Sequence, residues 1–340
     1  VLDAYFSGTK IQWILDSDPS LRQRAEAGEL AFGTVDSWLI WNMTAGNVFK
    51  TDVTNASRTM LCNLESASWD EELLAIFGIE LSALPEIVPS SGKLAEIDNS
   101  VLGKPLPIAG IAGDQQSALF GQACFEVGQA KNTYGTGCFL MLNAGPKPVE
   151  SKHQLLSTIA WQIGEERTYA LEGAVFVAGS LIQWLRDKME FFQNASETEK
   201  MALSVQDSDG CYVVPAFVGL GAPHWDAYAR GLIIGLTRNT SKAHIVRAAL
   251  EAIAYQSAEV LQCMEADLGY PLQELKIDGG ASANNFLAQD QADLLGRTVR
   301  RPKNAESTAL GAAFLAGLAV GVWPSIESLK SCWQEDRKFE

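Results

Sequence analysis

The triplet Asp114-Gln115-Gln116 is the first group of residues whose types could do chemistry. It follows residues 107–113, an apolar run broken by glycines, which predicts a buried strand lying close to other backbone. Residues 117–120 then continue as a helix. A carboxylate at the end of a buried strand, where a helix begins, lies where α/β proteins place ligands. This stretch alone leaves open the alternative that Asp114 only caps the helix.

A polar turn within residues 132–139 carries two glycines between apolar flanks. Gly135 and Gly137 allow the backbone to turn tightly and to expose N–H groups, which suits a phosphate, and Thr136 adds a hydroxyl. An ordinary hairpin with a glycine-rich turn explains the same pattern, and the turn by itself favours that interpretation.

Residues 275–285 form a third stretch with chemical content, in which a predicted strand runs into Gly279 and Gly280 and then into a helix. Paired glycines allow the backbone to lie against a flat or charged ligand, and Asn284 can offer an amide to the edge of that ligand. A lone glycine pair usually marks only a strand–helix turn. Its occurrence with the two earlier loops favours a binding site.

The sequence Gly-Asp-Gln-Gln at 113–116, together with Asn-Thr-Tyr-Gly-Thr-Gly-Cys-Phe at 132–139, resembles the glycerol kinases of the FGGY carbohydrate kinase family. The likeness continues through nearly all of the 340 residues. It implies an α/β protein with the two-domain, actin-like ATPase (ribonuclease H-like) fold and an active site in the interdomain cleft. Residues 1–122 would be the C-terminal part of a first, polyol-binding domain, and residues 123–340 a second, nucleotide-binding domain.

The resemblance implies ATP-dependent phosphorylation of glycerol to sn-glycerol 3-phosphate, with Asp114 as the general base. Gln115 and Tyr5 would fix the other hydroxyl groups, and Phe139 would lie against the carbon chain. The nucleotide would be bound by Thr136 at the transferred phosphate and by four further residues, namely Gly179, Gln183, Gly280 and Asn284. ATP and Mg²⁺ are the implied cofactors, and no residue of the chain is predicted as a metal ligand.

Two features of the resembled kinases do not occur in these 340 residues. One is a phosphate-binding hairpin of the Gly-Thr-Thr type with an acidic metal partner, and the other is an Arg-Glu pair for the polyol. The resemblance therefore implies that the first domain is incomplete and that the chain is cut at both ends. We expect the chain alone to transfer phosphate poorly or not at all.

The composition fits an ordinary globular protein, with 47% hydrophobic and 20% charged residues. A net charge of −15 disfavours nucleic acid and anionic membranes as partners, but it does not disfavour ATP.

The six cysteines are scattered without a Cys-x-x-Cys pattern, which argues against a zinc site or a disulfide framework. With no secretory leader or membrane-spanning run, the default location is cytoplasmic. The resemblance implies a homo-oligomer, either a dimer or a tetramer.

Two other functions compete with the phosphorylation of glycerol. One is a kinase of another sugar, such as a pentulose or gluconate, and the other is a non-catalytic, nucleotide-binding scaffold of actin-like fold. The residues of the two loops, at 113–116 and 132–139, match glycerol kinases more closely than kinases of other sugars. Phe139 also suits a small polyol. The polar loop at residues 51–57 recurs in the resembled family, but its residues show only turn chemistry.

Overall fold

The computed structural model describes residues 3–340, which alternate between strands and helices as an α/β protein requires. Its α-helices are α1 (Ser7–Ser17), α2 (Pro19–Glu26), α3 (Val35–Met43), α4 (Val53–Ala56), α5 (Glu71–Phe77), α6 (Asn99–Leu102), α7 (Asp114–Gly121), α8 (Gly179–Asp187), α9 (Glu197–Leu203), α10 (Lys242–Leu268), α11 (Asn285–Leu295), α12 (Ser307–Ala319) and α13 (Ile326–Leu329). None of the helices in residues 3–340 combines the length and the apolar composition that a membrane crossing requires.

The strands are β1 (Lys50–Asp52), β2 (Cys62–Asn63), β3 (Ser68–Trp69), β4 (Glu86–Val88), β5 (Ser91–Ile97), β6 (Leu106–Gly110), β7 (Gln129–Tyr134), β8 (Cys138–Gly145), β9 (Leu156–Ile163), β10 (Glu166–Val175), β11 (Tyr212–Val214), β12 (Leu232–Ile234), β13 (Glu274–Asp278), β14 (Val299–Pro302) and β15 (Glu335–Phe339). Nine of them form one mixed sheet in the order β15-β14-β13-β7-β8-β10-β9-β5-β6. The pairs β7–β8, β8–β10 and β10–β9 are antiparallel, whereas β7–β13 and β13–β14 are parallel.

Strands from both sides of the predicted boundary at residue 122 belong to this sheet. β5 and β6 lie before the boundary, and they join the rest through a single parallel pair, Ser91 with Ile163. The antiparallel strands β7 to β10 and the parallel strands β13 and β14 all lie after it. The division into residues 1–122 and 123–340 stays a prediction.

The two faces of the sheet pack against different helices. One face is covered by α10, which begins after the predicted cap, Ser241, and ends at Gly269 in the left-handed conformation. Ala249, Ile253 and Val260 of α10 are buried there, as the helical spacing predicts. The other face is covered by α7, whose Leu119 and Phe120 are fully buried, and by α12. The first turn of α7 therefore lies against this second face of the sheet.

Helices α7 and α12 touch backbone to backbone, which explains the small residues predicted to pack closely in α12. A Cβ atom on Gly311 would lie 1.8 Å from the carbonyl oxygen of Ser117, and one on Gly121 would lie 2.0 Å from that of Ser307. No side chain larger than hydrogen fits at either position. This contact fixes α7, and with it Asp114, against the sheet.

The expectation of a buried strand before Asp114 is wrong in part. β6 is an edge strand of the sheet, and its residues Leu106 and Pro107 are exposed. Only Ala109 of this strand is buried, while Gly110 lies against the backbone of α12. An edge position tolerates the proline because its missing N–H would face solvent.

Candidate active site

The hairpin of β7 and β8 carries polar residues along its strands and glycines at its turn. Its register pairs Lys131 with Met141, Thr133 with Phe139 and Tyr134 with Cys138. Residues directly opposite each other point to the same face of a sheet, so Lys131, Thr133 and Phe139 face α7. The glycine-rich turn at residues 135–137 is thus an ordinary hairpin turn, and it also lies at the edge of a large cavity.

Asp114 is the first residue of α7, and Gly113 occupies the N-cap position. The Asp114 side chain is exposed, and its Oδ1 accepts the N–H of Gln115 at 2.8 Å. The alternative in which Asp114 serves as the N-cap residue is therefore wrong. An exposed carboxylate remains at the start of the helix, where it can reach a ligand.

The loop at residues 51–57 supports this helix start through a buried carboxylate. Asp52 accepts hydrogen bonds from Thr54 Oγ1 at 2.8 Å, from Asn55 and from Ser90 Oγ at 2.7 Å. Thr54 Oγ1 in turn accepts the N–H of Gly113 at 2.7 Å. Complete burial raises the pKa of Asp52 to about 6, against the lowering effect of its hydrogen bonds. The loop at residues 51–57, to which the sequence assigns no role beyond turn chemistry, thus positions the backbone beside Asp114.

The side chains of Tyr5, Arg58, Lys131 and Glu172 lie around Asp114. We call these four residues together with Asp114 the charged cluster. Arg58 Nη2 donates to Glu172 Oε1 at 2.7 Å, and the Glu172 side chain is 1% exposed. The Arg58 guanidinium also lies 5.6 Å from the centroid of the Tyr5 ring, within the range of a cation–π contact.

The pKa shifts in the charged cluster show that its members act on one another. Burial and then the Glu172 carboxylate raise the pKa of Tyr5, with a smaller contribution from Asp114. Burial lowers the pKa of Arg58, but Glu172, Tyr5 and Asp114 raise it, and the net shift is upward. Asp114 is therefore close enough to both side chains to share one electrostatic field with them.

The other two residues predicted to bind the polyol lie next to this cluster. Gln115 is half-buried, and its Oε1 accepts a hydrogen bond from Lys131 Nζ. Phe139 is also half-buried, and its carbonyl oxygen accepts from the same ammonium group at 3.1 Å. The structure therefore brings together Tyr5, Asp114, Gln115 and Phe139, the four residues named from the sequence.

A cavity of about 510 Å³ lies at the turn of the same hairpin, and we call it the glycine-lined cavity. Its walls include all five residues predicted to bind the nucleotide: Thr136, Gly179, Gln183, Gly280 and Asn284. Apolar side chains of α8, α10 and α11 line it as well, namely Ile182, Leu250, Ile253 and Leu287. The apolar part of this wall suits a flat aromatic base.

Glycine is required at two positions around this cavity. A Cβ atom on Gly179 would lie 2.4 Å from the carbonyl oxygen of Gly135, because the first turn of α8 packs against the hairpin turn. Gly279 has a φ of +80°, and a Cβ atom there would lie 2.5 Å from the carbonyl oxygen of Tyr134. By contrast, a Cβ atom on Gly280 would meet nothing within 4 Å. Gly280 therefore faces open space in the cavity wall.

Asn284 lies at the cavity with its amide already engaged. Its Oδ1 caps α11 by accepting the N–H of Leu287 at 3.1 Å, and its Nδ2 donates to Thr198 Oγ1 at 3.1 Å. One N–H of the amide remains for a ligand. The predicted contact with the edge of the base can use that N–H or the second lone pair of Oδ1.

Arg58, Glu172 and Lys131 were not singled out from the sequence. Glu172 carries a weak signal, because it is a charged residue between Leu171 and Gly173 in the apolar half of β10, whereas β7 is largely polar and Lys131 does not stand out in it. Arg58 carries no such signal, since an arginine at the end of a polar loop is ordinary. Within residues 3–340, no group of three His, Cys, Asp or Glu side chains could hold a metal ion.

Two family models match most of the chain. Residues 1–121 match the N-terminal domain of the FGGY family of carbohydrate kinases, and residues 130–320 match the C-terminal domain of the same family. The gap between the two matches lies directly after α7.

Curated relatives match the chain over its whole length. A glycerol kinase from Symbiobacterium thermophilum is 60% identical over 339 residues, covering 100% of this chain and 68% of the relative. A glycerol kinase from Deinococcus radiodurans is 58% identical over 340 residues, with coverage of 100% and 68%.

Solved structures share the fold. The Plasmodium falciparum glycerol kinase with ADP has a TM-score of 0.93 and 40% identity, covering 99% of this chain and 68% of that one. A ligand-bound xylulose kinase from Lactobacillus acidophilus has a TM-score of 0.85 at 23% identity, with coverage of 98% and 67%. The second match supports the fold alone.

Proposed function

The chain belongs to the FGGY family of carbohydrate kinases, and from this membership we infer that it phosphorylates glycerol with ATP. The resemblance and the fold class predicted from the sequence are confirmed by the family models and by relatives that are 58% to 60% identical over the whole chain. The observation that carries the inference is the β7–β8 hairpin, which has the charged cluster along its strands and the glycine-lined cavity at its turn.

Asp114 acts as the general base in this proposal. A terminal hydroxyl oxygen of glycerol attacks the γ-phosphorus of ATP, the bond from that phosphorus to ADP breaks, and Asp114 takes the hydroxyl proton. Its exposed carboxylate at the first position of α7 is free to receive that proton. Tyr5 and Gln115 hold the remaining hydroxyl groups, and Phe139 lies against the carbon chain.

The nucleotide occupies the glycine-lined cavity. Its base lies against the apolar side chains, near Gly280 and Asn284, and its phosphates extend toward Thr136 at the hairpin turn. Gly179 and Gln183 lie on the α8 side of the same cavity. The γ-phosphate then lies between Thr136 and Asp114, since the hairpin strands lead from the cavity to the charged cluster.

Mg²⁺ would enter this site together with ATP. It prefers phosphate oxygens, water and one or two carboxylates rather than a cage built by the protein. Asp114 serves as the base here, and residues 3–340 contain no ligand cluster, so phosphate oxygens and water would supply most of the ligands of the metal. The metal would neutralise charge on the transferred phosphoryl group when bound.

We also propose that the protein works in the cytoplasm as a homo-oligomer. All six cysteines are free thiols, four of them buried, as expected in a reducing compartment. The net charge of −15 continues to disfavour nucleic acid as a partner.

A substrate panel tests the choice of acceptor. Release of ADP from Mg-ATP is measured with glycerol, a pentulose and gluconate, on the chain alone and on the chain extended to the length of its relatives. In the extended chain, we expect ADP release that depends on glycerol and is at least about tenfold slower with the other acceptors, whereas the chain alone should release little or no ADP. A clear preference for a pentulose or gluconate would contradict the proposal, as would nucleotide binding without transfer to any acceptor in either form.

A further inference from the structure

Lys131 is a fully buried lysine whose three N–H donors all have partners. Its Nζ donates to Gln115 Oε1, to Thr133 Oγ1 at 3.0 Å and to the carbonyl oxygen of Phe139 at 3.1 Å. Gln115 belongs to α7, whereas Thr133 and Phe139 belong to β7 and β8. One ammonium group therefore links the helix that carries Asp114 to the hairpin that leads to the glycine-lined cavity.

The contact with Lys131 settles the orientation of the Gln115 amide. An ammonium group only donates hydrogen bonds, so it must face the amide oxygen and not the amide nitrogen. The nitrogen Nε2 is then left on the side away from Lys131. Within residues 3–340, the Gln115 amide has a hydrogen-bond partner at Oε1 but none at Nε2. The Nε2 group can therefore donate to a ligand oxygen.

Burying the Lys131 ammonium group lowers the stability of the folded state, so a lysine is retained here only if it has a function. A lysine taken out of water without a carboxylate partner costs several kcal/mol, even when its donors are satisfied. Lys276 is the matched case, because it lies directly opposite Lys131 on β13 and is also buried. Lys276 has Glu274 Oε1 at 3.6 Å, whereas the hydrogen-bond partners of Lys131 are neutral oxygens. Burial lowers the pKa of Lys131, although the carboxylates of Asp278, Glu172 and Asp114 act in the opposite direction.

Resting on the proposed function, we propose that Lys131 is a positioning residue for polyol binding. It holds the Gln115 amide with Nε2 toward the cleft, so that Gln115 donates to a hydroxyl oxygen of glycerol and leaves the hydroxyl proton to other groups. Its bond to the carbonyl of Phe139 keeps the second polyol residue at a constant distance from the first. Lys131 itself touches neither substrate.

Replacement of Lys131 by methionine tests this role, since methionine fills similar volume without a donor. In K131M, the KM for glycerol should rise about tenfold, which is the usual effect of one lost hydrogen bond. The kcat should change less, and the Kd for ADP should stay within about twofold. K276M is the control, and it should leave the KM for glycerol unchanged because Lys276 donates to the carbonyl oxygens of Gln122 and Ala123.

The dependence on Gln115 separates positioning from general support of the fold. If Lys131 acts mainly through Gln115, then K131M should raise the KM for glycerol in a Q115A background by much less than its roughly tenfold effect in the wild type, leaving only the part carried by the contact with Phe139. Fully multiplied effects of the two substitutions would overturn the proposal.

Gln115→Glu provides a test that does not depend on the folding of K131M. A glutamate keeps the contact with Lys131 but offers no N–H donor, so Q115E should stay folded and should still raise the KM for glycerol about tenfold. A Q115E variant with the KM of the wild type would overturn the donor role of Gln115. These variants are measured in the chain extended to the length of its relatives, and failure of that extended wild type to release ADP with glycerol would instead overturn the proposed function, and with it the role of Lys131.

Discussion

The two ends of the β7–β8 hairpin are built from different chemistry. The charged cluster holds Lys131 and Glu172 in buried positions, with Arg58 half-buried beside them, and joins its members to their neighbours by hydrogen bonds. The glycine-lined cavity combines glycine backbone at Gly135, Gly179 and Gly280 with apolar side chains of α8, α10 and α11, and polar side chains such as Gln183, Arg186 and Glu199 complete its walls. A small polyol offers only hydroxyl groups, so its recognition needs donors and acceptors in fixed positions. A nucleotide offers a large flat base, so shape suffices for much of its binding.

This difference predicts how each end responds to mutation. In the charged cluster, one lost partner leaves another buried polar group without compensation, so the effects are large and depend on the partner residue. Around the glycine-lined cavity, the added volume decides the effect. Four predictions run from the largest expected effect to the smallest. Three of them test this contrast, and the one on Asp52 tests the buried loop beside Asp114.

Asp114→Asn should lower the kcat for glycerol phosphorylation by about 10²–10⁴-fold, because an amide cannot accept the hydroxyl proton. The Kd for ADP should not change, since Asp114 lies outside the glycine-lined cavity. Steady-state ADP release and calorimetric ADP titration measure the two quantities. Gln116→Glu would be a poor control because Gln116 is buried, whereas Glu72→Gln on the exposed face of α5 should leave both unchanged. A D114N variant with the kcat of the wild type would remove Asp114 from the mechanism.

Arg58→Met should lower the free energy of unfolding by about 3–5 kcal/mol, because Glu172 would remain buried without its cation. Glu172 Oε2 already lacks a partner within residues 3–340, so the environment offers no replacement. Adding E172Q should recover much of the lost stability by removing the uncompensated charge. Urea unfolding measures each variant.

Arg24→Met is the matched surface control for Arg58. Its partner, Glu29, lies 3.2 Å away, and both side chains are at least half exposed. An exposed pair contributes about 0–1 kcal/mol, so this variant should be close to the wild type. A double variant R58M/E172Q that is no more stable than R58M alone would show that the buried Arg58–Glu172 pair does not stabilise the charged cluster.

Asp52→Asn should change how stability depends on pH. The pKa of Asp52 is about 6 in the folded protein and ordinarily 3.8, so between these values the folded state binds more protons than the unfolded state. The free energy of unfolding therefore falls as pH rises from about 4 to about 6, by up to about 3 kcal/mol at about 1.36 kcal/mol per pKa unit. The asparagine of this variant does not titrate, so D52N should gain stability relative to the wild type across this range. Urea unfolding at pH values from about 4 to about 7 measures the difference, and a constant difference would contradict the raised pKa.

Gly280→Ala should weaken ADP binding about tenfold without changing the midpoint of thermal unfolding, because its new methyl group enters an open part of the cavity. Gly179→Ala should lower both the ADP affinity and the midpoint of thermal unfolding, since its methyl group would lie 2.4 Å from the carbonyl oxygen of Gly135. The KM for glycerol should stay unchanged in G280A. Normal ADP affinity in that variant would place the nucleotide away from Gly280.

The sequence predicts the local structure of the site better than its long-range contacts. The change from strand to helix before Asp114, the hairpin turn at residues 135–137 and the Ser241 cap of α10 each follow from a few neighbouring residues. The edge position of β6 does not, because it depends on which strands pair with it.

The pairing of Arg58 with Glu172 joins residues 114 positions apart, and no local pattern specifies such a partner. Lys131 is similar, since its position in the largely polar strand β7 does not specify what it contacts. The family resemblance supplied the substrate and nucleotide residues, and the structure supplies the residues that hold them in place.

A crystal structure of the chain with glycerol and ADP is the most direct test of two different sites at the two ends of one hairpin. We predict that a glycerol hydroxyl lies within hydrogen-bond distance of the Asp114 carboxylate, with Gln115 Nε2 donating to a second hydroxyl oxygen. ADP should fill the glycine-lined cavity with its base near Gly280 and its phosphates toward Thr136. Glycerol bound away from Asp114, or ADP bound outside that cavity, would contradict the account.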